Sequence, residues 1–397
     1  MAAVTIHAAW SPGEVQVAAV ADNRLVDYAL WRPGAPDGVG DLYRGRVTAI
    51  VPAIAGAFVA LPGYAMDGFL PDSNGARGLT EGAVLTVRVI RAAQGGKGPR
   101  LRVEAGESDP PGLPHPGLPH LGLPDLGLPH LGLPHLGLLR RGLDPLRELA
   151  DRYPAASVLV DDPGFAATLR AGLADRVTRV PRAFDDAIET AVDELAASEV
   201  ILASGARMSI HPTPALVAID IDGGAALAGR ATGGDIGQRW HRALNAAILP
   251  ELARQIRLRD LSGAILVDLA GMKAKQRAAL APALAETLAA DPLRPRFLGF
   301  TALGLAEISR PRRRPPLHEM LSGPLASGLR ALREIARTSR ADPGRRFALR
   351  AAPSVVAALE ADPVALEELA RITGQALNSR SDPSLTGDGW HIEDPHG

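Results

Sequence analysis

Two acidic positions stand out because each closes an apolar run. ALVAIDID (residues 215–222) carries Asp220, with Asp222 two residues on, and AILVD (264–268) ends on Asp268. Between them, DIGQRWHRALNAAILPELARQIRLRD reads as a helix, with Leu244, Ile248, Leu252 and Ile256 recurring every four residues. Strand, helix, strand makes a βαβ unit, whose two strands are parallel. Parallel strands end on one edge and neighbours lie ~4.8 Å apart. Asp220 and Asp268 are therefore expected side by side at the carboxyl edge of a sheet, where open α/β sheets hold ligands. Carboxylates that close repel unless a cation sits between them or one takes a proton. A Mg²⁺ ion held by one or two carboxylates plus substrate phosphate suits this pair. The competing role for a strand-terminal Asp is to cap the next helix or loop.

The elements that must position this edge follow from pattern. Residues 4–31 read as strands, with Asp22 and Asn23 marking a hairpin turn. From Asp41 to Glu104 short alternating strands are separated by Gly-containing turns, which suits a five-stranded OB-fold barrel. Phe58 and Phe69 lie there, in a chain only 4% aromatic. They serve either as barrel core or as exposed rings on which single-stranded bases stack beside a basic groove. Lys97, in the loop GGKG, is expected on a flexible segment able to bring an ammonium to phosphate. Residues 112–136 repeat GLPHP, GLPHL, GLPDL, GLPHL, GLPHL; with Gly and Pro in every unit they read as a flexible or PPII-like linker, and a His-based metal tract is the sharper alternative. From Leu143 to Ile210 helical and strand patterns alternate. In the central helix Pro250 is expected to kink or break the run. A second helix follows from Lys273 to Ala290, then the strand RFLGFTA and the basic exit SRPRRRPP. From Leu325 a small α+β tail is expected.

Composition narrows the classes. The 397 residues suffice for two or three domains, and 46% hydrophobic with 22% charged residues points to a soluble globular protein. The absence of cysteine excludes disulfides, thiolate zinc sites and cysteine catalysis, and fits a cytoplasmic location. The start MAAVTIHAAW lacks a basic region and a long apolar core, so no signal peptide is expected. No apolar run approaches the ~18 residues of a membrane span. The net charge of −1 does not point to nucleic acid. Basic clusters within 41–104 and 294–314 nevertheless suit a polyanionic ligand, or else form solvated charged faces.

Taken together, these segments resemble the ribonuclease E/G family of bacterial endoribonucleases. DLYRGRVTAIVPAIAGAFVALPGYAMDGFLP resembles that family's OB-fold RNA-binding module, of the ribosomal S-one type. ELARQIRLRDLSGAILVDL resembles its most distinctive core segment, LGLAEISRPR the segment that follows, and LREIARTS with RFALRAAPSVVAALE its small C-terminal domain. The resemblance implies an α/β fold with an all-β module. The first strands of an RNase H-like core occupy 1–40, and the OB-fold module 41–104. The low-complexity linker covers 105–142, and the rest of the RNase H-like core 143–212. A DNase I-like catalytic subdomain follows at 213–316, then a small α+β domain at 317–397. It places the family's metal-binding aspartates on Asp220 and Asp268, base-contacting aromatics on Phe58 and Phe69, and an RNA-contacting lysine on Lys97. The family's usual Asn two positions after the first Asp is here Asp222.

The chain also departs from the family pattern. Where a 5′-monophosphate pocket follows the RNA-binding module, this chain has the repeat and no matching Arg-Thr motif, so 5′-end sensing does not carry over. LHEMLSGP stands in place of the zinc-link cysteines, so any homo-oligomer is not stapled by zinc. Ala302 replaces an Arg, and the acidic start of the central helix is reduced to Asp235. The function implied is Mg-dependent cleavage of single-stranded RNA, in rRNA or mRNA processing or turnover. Asp220 and Asp268 would hold the metal, and Asp222 would ligate it or orient the attacking water. Phe58, Phe69 and Lys97 would position the strand, and Arg310 would neutralise a flanking phosphate. The alternative is a non-catalytic RNA-binding protein of the same descent.

Overall fold

In a computed structural model, residues 3–104, 136–223 and 234–394 are described, those at 234–238 by backbone alone. All but the last residue of the pentapeptide repeat lies outside them, as do the side chain of Asp235 and any metal role for the repeat histidines. The chain divides into two units, Met1–Pro36 with Asp144–Gly397, and Asp37–Leu143.

The first unit opens with an antiparallel meander of β1 (Val4–Ser11), β2 (Glu14–Ala21) and β3 (Arg24–Trp31). The turn between β2 and β3 falls on Asp22 and Asn23, both left-handed with φ of 48° and 57°. Asp and Asn tolerate that conformation, which is why the pair signals a two-residue hairpin.

The second unit is a barrel. Its strands are β4 (Leu42–Val51), β5 (Gly56–Ala60), β6 (Gly68–Pro71), β7 (Val84–Arg91) and β8 (Arg100–Val103). They pair in the order β5-β6-β8-β7-β4, and β4 also pairs with β5, which closes the ring. Alternate residues fill it, among them Val47, Ala57, Val59, Leu70, Val87, Val89 and Leu101. One further strand, β9 (Gly137–Arg140), adds to β4. Residues 137–140, expected to be linker, are thus part of the barrel unit. Leu138 packs on the barrel core, and Asp41 accepts from Arg141 and from the Gly142 amide, each at 2.7 Å. The same carboxylate therefore ties the unit's exit to its entrance.

Back in the first unit come α1 (Pro145–Arg152), β10 (Ser157–Val160), α2 (Pro163–Leu173), β11 (Val177–Arg179) and α3 (Asp186–Asp193). β10 runs parallel to β1 and β11 to β10, giving one sheet of order β11-β10-β1-β2-β3 built from both sides of the barrel insertion. A second sheet follows: β12 (Glu199–Ile201), β13 (Arg207–Pro212), β14 (Val217–Asp222), α4 (Gly234–Leu258), β15 (Gly263–Asp268), α5 (Ala274–Ala289), β16 (Arg296–Phe300) and β17 (Ala306–Arg310). Its order is β12-β13-β14-β15-β17-β16.

α4 and α5 cover one face of this second sheet. The expected stripe of Leu244, Ile248, Leu252 and Ile256 is buried there with Leu280, Leu284 and Leu288. Each such side chain contributes about 1.5–3 kcal/mol on burial. Pro250 does not break the helix, and α4 runs through it. Pro250 and Ala246, whose carbonyl loses its partner, lie on the exposed side, where water can take the lost bond.

The tail forms α6 (Leu317–Met320), α7 (Pro324–Ala341), β18 (Ala348–Ala351), α8 (Pro353–Glu360), α9 (Pro363–Thr373), β19 (Asn378–Ser381) and β20 (Trp390–Glu393). It has its own core but belongs to the first unit. A Cβ on Gly13, in the β1–β2 turn, would meet Leu329 at 2.6 Å and Ala365 at 2.7 Å, so glycine lets the meander lie against α7 and α9. Among the described residues, no helix is long and apolar enough to cross a membrane.

Candidate active site

β14 and β15 are parallel, and Asp220 stands directly opposite Asp268. Val217, Ile219, Ile221, Ile265 and Val267 are buried against the helices. Alternation then turns Ala218, Asp220, Asp222, Leu266 and Asp268 to the other face. Asp220 and Asp268 are exposed, and neither has a hydrogen-bond or ion-pair partner among the described residues. Two full charges ~5 Å apart repel by about 1 kcal/mol in water and about 3 kcal/mol at an effective dielectric of 20. The face is thus poised for a cation.

The position of Asp268 is set from below. Asn245 of α4 is wholly buried, and its amide donates to the Ala270 carbonyl at 2.9 Å, just past the strand end. Gly271 follows at φ 57°, and a Cβ there would stand 2.6 Å from the His241 ring. The turn after Asp268 is therefore held against α4 by a polar clamp and a close approach that only glycine permits.

Asp222 does not join the pair. It lies one step along the same face, roughly 6.6 Å from Asp220 by strand rise. Arg207, its register partner on β13, holds it by an ion pair of 3.2 Å. No group of three His, Cys, Asp or Glu gathers at metal-binding distance among the described residues. The expected ligand or water-orienting role of Asp222 would require this carboxylate to leave the Arg207 ion pair or to share it with a metal. The antiparallel pairing with β13 supplies a nearer cation. A Mg²⁺ ion fits the remaining pair, because that ion is bound through one or two carboxylates with waters and phosphate completing its shell.

The expected role of Arg310 is corrected. It is 3% exposed on the helix-covered face, bound to Asp291 at 2.8 Å and Asp260 at 2.5 Å. A guanidinium already neutralised by two carboxylates is not available to a phosphate.

In the barrel unit, β5 and β6 pair with Phe58 opposite Phe69. Their neighbours Ala57, Val59 and Leu70 are wholly buried, so both rings lie outside, half-buried. The ring centroids are 5.8 Å apart at 57°. Arg100 of β8 caps the Phe69 ring, its guanidinium 5.8 Å from the centroid. The GGKG segment is not a loose loop. Gln94 and Lys97 exchange backbone bonds of 2.9 Å across Gly95 and Gly96, at φ 53° and 74°, a tight two-residue turn. A Cβ on Gly98 would stand 1.9 Å from the Asp67 carbonyl, so the turn lies against the residue that precedes β6. Lys97 is exposed at this edge. The two rings and the Arg100 guanidinium on one barrel face can stack planar groups and bind phosphates, and the exposed Lys97 stands in the turn that leads into β8.

Residues 165–313 match the model of the Ribonuclease E/G family. The chain carries a ribonuclease E/G family domain. It is 28% identical over 211 residues to "Ribonuclease G" of Escherichia coli (strain K12), covering 49% of this chain and 42% of that protein. It is 38% identical over 135 residues to "Ribonuclease E" of the same organism, 33% of this chain and 12% of the other. With "Ribonuclease E" of Nostoc sp. it shares 31% over 145 residues, 36% of this chain and 20% of that protein. The alignments thus span less than half the length of these curated relatives.

Asp220, Asp222, Asp268 and Arg310 all fall inside the ribonuclease E/G domain, whereas Phe58, Phe69 and Lys97 precede it. Three polar residues were missed from sequence. Arg207 neutralises Asp222, Glu307 faces Leu266 beside Asp268, and Arg100 caps Phe69. Strand alternation in RLRV and AEISR carried the signal for Arg100 and Glu307, since the buried Leu101, Ala306 and Ile308 fix the phase.

Proposed function

We propose that this chain is a metal-dependent endoribonuclease acting on single-stranded RNA. The observation that carries the reading is the in-register pair Asp220 and Asp268, exposed and unpartnered among the described residues, at the carboxyl edge of the ribonuclease E/G domain's sheet. Asp220 and Asp268 would hold Mg²⁺, which supplies a lowered pKa for bound water and polarises a phosphodiester oxygen. The chain's own contribution is positional. The parallel register sets the spacing of the two carboxylates, and the Asn245 clamp fixes the turn after Asp268. The Arg207–Asp222 pair would offset the charge of a third carboxylate beside the ion. On the barrel, Phe58 and Phe69 would stack bases while Lys97 and Arg100 meet phosphates.

The names of the curated relatives support this chemistry, as does the OB-like barrel inserted between strands of one sheet. An antiparallel meander extended by two parallel strands supports reading the first sheet as RNase H-like, and the helix-covered second sheet is read as DNase I-like. Processing or turnover of rRNA or mRNA in the cytoplasm is the corresponding role. The test is end-labelled single-stranded RNA incubated with purified protein in Mg²⁺ or in EDTA. Internal cleavage with Mg²⁺ and none with EDTA is expected. Binding without cleavage in both would replace the enzyme by a non-catalytic RNA-binding protein.

A further inference from the structure

A cavity of about 720 Å³ lies within the first unit, away from the paired aspartates. Pro212 and Leu261 line it. Pro212 pairs with Val217, and Leu261 precedes the start of β15, so the cavity opens at the sheet edge opposite Asp220 and Asp268. Its lining includes the apolar side chains Phe184, Leu195, Leu317 and Leu321. It also includes Arg259 just beyond α4 and Arg330, Arg333 and Arg337 of α7. Steps of three and four residues put the last three on one helix face.

The charges there are not all met. Arg333 pairs with Glu14 and Arg337 with Glu334. Of the other lining acids, Glu189 pairs with Arg182, which leaves Asp193. Arg259 is only 6% exposed and has no carboxylate partner among the described residues. It donates to the Gln255 side chain at 2.9 Å and to the carbonyls of Ala197 and Glu194 at 2.5 and 3.2 Å. Arg330 reaches the Leu321 carbonyl at 3.5 Å and no carboxylate. A buried guanidinium without a counter-charge is costly. Burial, with the like charge of Arg254 added, draws the Arg259 pKa down to about 10. The Tyr28 hydroxyl, also among the lining groups, is buried beside the Gln16 side chain. Burial raises the pKa of that phenol further, so it can act as a donor.

We propose that this cavity binds a small organic phosphate with an apolar or aromatic body, of the size of a nucleoside monophosphate. The phosphate would supply the missing counter-charge to Arg259 and Arg330 and accept from Tyr28. The body would lie against Phe184, Leu317 and Leu321. Ligand pockets of roughly 300–1,000 Å³ that are apolar with a few convergent polar groups are the ordinary form of such sites, and guanidinium pairs are the usual phosphate clamp.

The test is calorimetric titration of the full chain with AMP and with UMP, in EDTA so that no cleavage reaction contributes, with adenosine and inorganic phosphate as controls. Saturable binding of one nucleotide per chain is expected, with adenosine and inorganic phosphate each at least tenfold weaker. R330Q, at an exposed position, should weaken nucleotide binding at least tenfold, and R259Q should do so wherever its circular dichroism shows a native fold. D220N should bind as the parent does, which separates this site from the proposed nuclease centre. Absence of saturable binding, parental affinity in R330Q, or adenosine or inorganic phosphate binding as tightly as AMP would each overturn the proposal.

Discussion

Replacing Arg310 by methionine tests whether this guanidinium holds the fold or an anion. Arg310 and Asp291 are each 3% exposed, joined at 2.8 Å. A second ion pair of 2.5 Å reaches Asp260, and the Leu261 carbonyl accepts at 3.0 Å. Asp260 follows α4 and Asp291 follows α5, so one side chain on β17 ties down the ends of both helices that cover the sheet. Methionine matches the stem but leaves the Asp291 carboxylate buried and unpaired, a loss of about 3–5 kcal/mol. Urea unfolding followed by circular dichroism reads this directly. With a slope of ~3 kcal/mol per M, the midpoint at pH 7 should fall by roughly 1–1.7 M. The sign with pH follows from Asp260, whose pKa burial already raises against the opposing pull of Arg310. Without Arg310 the folded-state pKa rises further. A raised carboxyl pKa favours the fold at low pH and loses that contribution as pH rises through it. The deficit of Arg310→Met should therefore be smaller at pH 4 than at pH 7. RNA affinity, measured where the variant is folded, should stay within about twofold. An unchanged midpoint together with weakened RNA binding would refute the structural assignment and restore Arg310 as a phosphate contact.

Two further outcomes follow from the same geometry. Burial pushes the Glu251 pKa up, but hydrogen bonds from Arg254 and Gln255 and the charges of Arg254 and Arg24 outweigh it, so the net shift is below the ordinary 4.5. That contribution is present above about pH 4.5 and is lost as pH falls through the lowered folded value; Glu251→Gln should flatten the acid limb of a thermal-stability profile, and an unaltered limb would remove Glu251 from the acid response. Phe58→Ala or Phe69→Ala should weaken single-stranded RNA binding by about 1–3 kcal/mol for each stacked base lost. The double variant should fall short of the sum because the rings touch, as read by fluorescence anisotropy at fixed salt, and parental affinity in the double variant would take this barrel face off the RNA path.

What was legible in the sequence was what periodicity and chain-local chemistry control. Two apolar runs ending in Asp and separated by one helix-length segment led to the Asp220–Asp268 register. The Asp22-Asn23 pair led to a left-handed turn, and four-residue spacing led to the buried stripe of α4. What escaped depends on partners distant in the chain. Arg310 looked like a member of a basic exit because its carboxylates lie 50 and 19 residues away, at Asp260 and Asp291. Asp222 looked like a spare ligand because Arg207 meets it only once β13 pairs antiparallel with β14. GGKG read as loose because composition cannot show that Gly98 is pressed on Asp67. Phe58 and Phe69 were left between core and surface until Ala57, Val59 and Leu70 fixed the phase of their strands.

The most direct measurement of the central claim is the rate of Mg²⁺-dependent cleavage of a labelled single-stranded RNA by D220N, D268N and D222N, with RNA affinity measured in parallel. Asp220→Asn and Asp268→Asn should each abolish cleavage while leaving binding nearly intact, and Asp222→Asn, whose carboxylate is already held by Arg207, should retain most of the rate. Full activity in both D220N and D268N would contradict the account.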